Sequence, residues 1–285
     1  MKLSLCTISF RHQLISFGDI VRFAGQHRFD GIELWGAHAL HLYEREREEA
    51  LAQLGVMRSN SLAVSMISDY IDIGGSADRQ ASLEKGGRLA DMARWFGARR
   101  IRIFAGTKAS NEMTDEERAD CVRLIRDLCE GCAGKGVELL VETHPGTLAD
   151  TLASTVRLIH EVEHESLGIN LDFLHLWESG TDPVKAFREL EPWARHFHLK
   201  NISSADKLDV FLPHHVYAAG ASRDGIVPLG EGAIDYAPVL QQIADTEWFG
   251  SLEWFGHDPC GVLAAESARL QRIRGEAGRH TEPVR

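Results

Sequence analysis

Four short apolar runs in the second half of the chain end in ionisable side chains: Val141-Glu142-Thr143-His144, Asn170-Leu171-Asp172, His196-Phe197-His198-Leu199-Lys200 and Leu252-Glu253. Each reads as a strand, and in a strand residues i and i+2 share a face. Glu142 and His144 therefore project together, as do His198 and Lys200. Three carboxylates gathered at one end of a closed sheet repel one another and lose hydration at high cost. A divalent cation removes that conflict, so Glu142, Asp172, His198 and Glu253 are read as ligands of one metal ion. Three oxygens and one imidazole suit a hard or borderline octahedral ion: Mn²⁺ or Mg²⁺ first, Co²⁺ or Zn²⁺ as alternatives. Four protein ligands leave about two octahedral positions for substrate or water. Taken singly, each residue has an ordinary reading, an acid capping the next helix or a hydrogen-bonded core histidine. Repetition on four consecutive strands argues against it.

Other polar residues carry less. Arg102 sits in the apolar run Ile101–Ile103, where a cation needs an anion, either a substrate carboxylate or an internal glutamate such as Glu33. Tyr70 follows a strand and is placed to hydrogen-bond a ligand. Trp35, Phe104, Trp254 and Phe255 are candidate pocket walls. Five cysteines are scattered through the chain, and Cys129-x-x-Cys132 falls on the apolar face of a helix with Cys121, Leu124, Ile125 and Leu128. They read as small reduced core residues rather than half of a zinc site.

The elements that must hold these groups follow from periodicity. Strands are expected at Leu3–Ile8, Gly31–Trp35, Ala63–Ser68, Arg100–Ala105, Glu138–Thr143, Gly168–Asp172, His196–Lys200 and Ser251–Trp254. Helices are expected at Ser16–His27, Glu44–Gln53, Arg79–Phe96, Asp115–Ala133, Leu152–Glu163, Pro183–Leu190, Tyr236–Ala244 and Leu263–Ile273. Thr114-x-x-Glu117 forms a capping box, Pro183 opens a helix after Asp182, and Gly97 and Gly134 close two others. Eight strand–helix pairs define an α/β fold, a single-domain (β/α)8 TIM barrel over residues 1–274 with a polar C-terminal tail at 275–285. A Rossmann sheet is excluded, because the residues after the first strand lack its glycine-rich turn. The long stretch Asn201–Ala233, with Pro213, His214, His215 and Tyr217, emerges at the C-terminal face and reads as a lid.

Composition sets the outer bounds. The 285 residues are 44% hydrophobic, with a net charge of −11. That apolar fraction excludes a disordered chain, and the acidic balance argues against a nucleic-acid partner. The absence of a long apolar run argues against a membrane span, and the N-terminus does not resemble a signal peptide. A cytoplasmic enzyme acting on a small molecule is the expectation, and a homo-oligomer is compatible with it.

The Glu/Asp/His/Glu pattern resembles the xylose isomerase-like barrel superfamily of sugar isomerases, epimerases and apurinic endonucleases. Narrower segments, among them Leu5–Phe17, Gly31–Gly36, Met66–Tyr70, Ile169–His175, Trp177–Gly180, Lys200–Asp206 and Ser251–His257, are similar to the 3-dehydroshikimate dehydratase family of petrobactin siderophore assembly. This resemblance implies dehydration of 3-dehydroshikimate to protocatechuate (3,4-dihydroxybenzoate). The implied route runs through a metal-stabilised enediolate and loss of the C5 hydroxyl. It further implies His144 and His175 as base and acid in either order, and Lys200 as oxyanion support. Arg102, with Tyr70 or Tyr217, would hold the substrate carboxylate. The product would serve siderophore assembly or aromatic catabolism. A sugar 3-epimerase or isomerase on the same barrel is the alternative. The three-metal cluster of an apurinic endonuclease and a non-catalytic acid-binding barrel fit less well.

Overall fold

The computed structural model describes residues 1–74 and 78–279, with side chains up to residue 274 in the last helix. In chain order the first half runs β1 (Lys2–Cys6), α1 (Phe17–Gln26), β2 (Gly31–Trp35), α2 (Gly36–Glu44), α3 (Arg47–Ser59), β3 (Ala63–Ser68), α4 (Arg79–Phe96), β4 (Arg100–Ile103) and α5 (Asp115–Ala133). Then come β5 (Glu138–Glu142), α6 (Leu152–Val162), β6 (Leu167–Asp172), α7 (Phe173–Glu178), α8 (Pro183–Leu190) and β7 (Ala194–Leu199). The chain continues with β8 (Asn201–Ile202), α9 (Pro213–Val216), β9 (Ile226–Val227), α10 (Tyr236–Ile243), β10 (Phe249–Leu252) and α11 (Pro259–Arg279). Eight strands close into a barrel in the order β1-β10-β7-β6-β5-β4-β3-β2, every neighbouring pair parallel. This is the (β/α)8 architecture expected from the alternating pattern.

Local chemistry sets the element ends. Asp78 caps α4 and Gly97 closes it at φ +75°, a conformation that suits a residue without Cβ. Thr114 and Glu117 form the reciprocal capping box of α5. Asp182 caps α8, with Pro183 at its first position. Gly134 follows α5 as expected but keeps right-handed dihedrals; Gly136 makes the left-handed turn at φ +70°.

Three differences matter. The helix expected at Glu44–Gln53 is α3, which starts at Arg47 and runs on to Ser59, and an unexpected helix, α2, starts directly after β2. The short helix α7 was hidden because Asp172 both ends β6 and caps α7, its Oδ1 accepting from the Leu174 and His175 amides at 3.0 and 3.3 Å. The last helix begins before Leu263 and its backbone continues to Arg279. Of the tail expected at 275–285, residues 280–285 lie outside the described residues.

Register then aligns the chemistry. Asp172 pairs with His198 across β6 and β7, His198 with Ser251 across β7 and β10, and Glu142 with Asn170 across β5 and β6. Among the described residues, no helix is long and apolar enough to cross a membrane.

Candidate active site

The C-terminal ends of β5, β6, β7 and β10 converge on His198. Its Nδ1 lies 3.2 Å from Glu142 Oε1, 3.4 Å from Glu253 Oε2 and 3.9 Å from Asp172 Oδ2. The four residues expected to share one ion are therefore brought together. Donor atoms of Glu142, Asp172 and His198 all fall within 4.8 Å of one another. Asp172 and His198 are completely buried, and Glu142 and Glu253 nearly so.

Two cations balance part of this charge. Lys200 Nζ lies 2.5 Å from Asp172 Oδ2 and 2.8 Å from Glu253 Oε2. Arg102 Nε lies 2.7 Å from Glu142 Oε2. Arg102 thus meets an internal glutamate, but Glu142 rather than Glu33. Burial alone disfavours the Glu142 carboxylate, yet Arg102 and His198 hold its pKa well below the ordinary value. Burial likewise works against a charged Lys200, but Asp172, Glu253 and Glu142 outweigh it and raise its pKa.

The donor set also passes a test for a cation. Asp172 Oδ2 and Glu142 Oε2 are buried oxygens with no aligned hydrogen-bond donor among the described residues, despite their nearby ammonium and guanidinium. A hard divalent ion offers non-directional charge, which three carboxylates and one imidazole are suited to receive.

Above this floor opens a cavity of about 340 Å³. Glu142, Glu253, Lys200, Arg102 and Tyr70 line it, together with a contiguous row of rings, Phe104, His144 and His175, with successive centroids 4.2 and 4.5 Å apart. His144 Nδ1 is 2.8 Å from the Pro145 carbonyl. Burial and the neighbouring His175 push the pKa of His144 down to about 3. His175 Nδ1 is 2.9 Å from a carboxylate oxygen of Glu178, three residues further along α7. Arg102 sits over the Tyr70 and Phe104 rings, at 5.3 and 4.8 Å to their centroids.

The expected lid is ordered. A 3₁₀ turn at Ala205–Phe211 and α9 deliver Phe211, Pro213, Val216 and Tyr217 to the cavity mouth, where Val216 packs with Ile8 and Phe255. Arg11 Nε donates to the Val216 carbonyl at 2.7 Å and Arg223 to the His215 carbonyl at 2.6 Å. Tyr217 Oη donates to Tyr70 Oη at 2.8 Å, joining lid to barrel.

Not every expected wall residue reaches the pocket. Trp254 is turned into the core and donates its indole N–H to the His257 carbonyl at 2.6 Å. Its neighbour Glu253 takes the inward position, so adjacent side chains diverge. Trp35 stands behind Tyr217, with ring centroids 6.1 Å apart. Sequence reasoning missed Glu178 as the partner of His175, although the i, i+3 spacing in a helix was a usable signal. It also missed His196 beneath the site. Glu33 had been noticed only as a partner for Arg102.

A family model for the xylose isomerase-like TIM barrel matches residues 21–274. The chain belongs to the xylose isomerase-like TIM barrel family. A 3-dehydroshikimate dehydratase of Bacillus anthracis is 53% identical over 266 residues, covering 93% of this chain and 95% of that protein. The crystal structure of a probable 3-DHS dehydratase involved in petrobactin synthesis from the same organism superposes with a TM-score of 0.94 at 53% identity, covering 95% and 99% of the two chains. D-psicose 3-epimerase from Clostridium cellulolyticum H10 has a TM-score of 0.72 at 13% identity over 97% and 99% of the chains, a likeness of fold alone.

Proposed function

We propose that this chain is a metal-dependent 3-dehydroshikimate dehydratase, a carbon–oxygen lyase that forms protocatechuate with loss of water. One observation carries the reading. The carboxylate–imidazole floor, with two histidines on the wall above it, occurs in a chain 53% identical to a protein of that name. The sugar 3-epimerase alternative is not favoured, since the epimerase likeness is of fold only.

In this reading Glu142, Asp172, His198 and Glu253 hold one divalent ion, with Mn²⁺ or Mg²⁺ fitting the oxygen-rich set best. Such an ion supplies Lewis-acid polarisation of the substrate ketone. The remaining chemistry falls to side chains. The Pro145 carbonyl can only accept, so Nδ1 of neutral His144 carries the proton and Nε2 is bare. That nitrogen is suited to remove the C4 proton beside the C3 ketone. His175, backed by the Glu178 carboxylate, is suited to hold a proton and deliver it to the departing C5 hydroxyl. Loss of the C4 hydrogen and C5 hydroxyl leaves a dienone, which becomes aromatic by tautomerisation. Lys200 would support negative charge developing on the substrate oxygens. Arg102, flanked by Tyr70 and Tyr217, would face the ring carboxylate.

A cytoplasmic setting is consistent with five free cysteines, four of them buried. Siderophore assembly is the proposed destination of the product, because the B. anthracis structure is described as involved in petrobactin synthesis. The deciding assay mixes the protein, Mn²⁺ or Mg²⁺ and 3-dehydroshikimate and follows catechol absorbance. Turnover with an aromatic product is expected; no product with any of the four candidate metals would overturn the assignment.

A further inference from the structure

Beneath the metal-ligand set lies a second buried layer that the proposed chemistry does not use. Glu33, in the middle of β2, has no exposed surface and reaches across the barrel interior to β7. Among the described residues it makes no salt bridge to lysine or arginine. Its Oε1 receives His198 Nε2 at 3.0 Å and the Ser68 hydroxyl, while Oε2 lies 3.1 Å from His196 Nε2. His196 Nε2 also lies 2.8 Å from Ser251 Oγ.

We propose that Glu33 is a positioning residue for the metal centre, holding the Nε2–H of His198 so that the bare Nδ1 faces the cation. The inference rests on the reading that Glu142, Asp172, His198 and Glu253 bind one ion. Both His198 ring nitrogens face carboxylates, Nε2 towards Glu33 and Nδ1 towards Glu142, Glu253 and Asp172. A cation held by those three would take the Nδ1 lone pair and leave the ring hydrogen on Nε2, towards Glu33. Nδ1 is the ring atom that points at all three candidate acidic ligands. Contact with Glu33 also fixes the ring plane, while Ser68 and His196 hold the carboxylate itself. An outer carboxylate behind a ligating histidine raises its basicity, and losing such a partner typically weakens metal binding by about 10–100-fold. Glutamine at this position offers one acceptor oxygen where three donors converge, and its amide can favour the opposite tautomer of His198.

The rival account is that Glu33, His196 and His198 hold an ion of their own, their donor atoms also lying within 4.8 Å of one another. Titration separates the accounts. Mn²⁺ is added to metal-free wild-type protein and to Glu33→Gln, with free Mn²⁺ read by electron paramagnetic resonance and both metal-free proteins melted in parallel. One ion per wild-type chain, bound about 10–100-fold more weakly by the variant, is expected. Equal affinities, even with a lower melting temperature for the variant, would overturn the role of Glu33 and leave the metal reading standing. No binding by wild type would remove both, and two ions per wild-type chain would favour the rival. Should Glu33→Gln fail to fold, ¹⁵N-imidazole spectra of the Mg²⁺-loaded wild type decide the matter, with His198 assigned by comparison with His198→Asn. A proton on Nε2 is expected; a proton on Nδ1 with a bare Nε2 refutes the inference.

Discussion

Replacing Lys200 with methionine should make the fold depend on a divalent ion far more than it does in the wild type. The ammonium lies 2.5 and 2.8 Å from two buried carboxylates, with Glu142 close by. At an effective dielectric of about 20, each contact corresponds to roughly 6 kcal/mol of Coulomb attraction, much of it cancelled by desolvation of the ammonium. Breaking a buried pair by removing one partner leaves a net loss of about 3–5 kcal/mol. For a chain of 285 residues that is about 5–8 °C in Tm. In the metal-loaded protein the ion itself compensates the stranded charge, so the loss there should be much smaller. Linkage then requires the variant to bind the ion more tightly, by about tenfold for every 1.4 kcal/mol of that difference. Circular-dichroism melts of wild type and Lys200→Met, each with chelator and with saturating Mn²⁺, read both quantities together. Equal Tm losses in the two conditions, or a variant more stable than wild type in chelator, would refute the electrostatic reasoning. Turnover should fall in either case if Lys200 supports the developing oxyanion.

His144→Ala and His175→Ala should each lower kcat by about 10²–10⁴-fold, with only modest loss of bound metal; near wild-type turnover in either removes that residue from the chemistry. Chelation should abolish turnover and added Mn²⁺ restore it, whereas Glu253→Ala should show little recovery at the same metal concentration, as read by product absorbance and metal content. At the exposed start of α5, outside the cavity lining, Thr114→Ala removes one side of the capping box and should cost about 0.5–2 kcal/mol in urea denaturation without altering KM.

The barrel was legible because its signals are local and repeated. Apolar strands alternate with amphipathic helices, and helix ends are marked by Asp182-Pro183, Thr114 and Gly97 within a few residues of where the chain turns. The helix α7 was not legible, because one residue, Asp172, closes a strand, caps a helix and faces the candidate site at once. Helix α2 was missed for a similar reason: a helix beginning directly at the end of β2 leaves no loop composition to mark it.

The same division runs through the site. Charged residue types at strand ends were enough to single out Glu142, Asp172, His198 and Glu253 as neighbours, since strand alternation dictates which face each side chain takes. Which cation answers which anion could not be read that way. Arg102 meets Glu142 rather than Glu33, Lys200 bridges Asp172 and Glu253, and Glu33 turns to two histidines on the far side of the barrel. Those pairings join residues dozens to more than a hundred and sixty positions apart, and they exist only once a closed sheet sets the distances between its walls. Alternation along a strand belongs to the chain; the partner a buried charge finds belongs to the barrel.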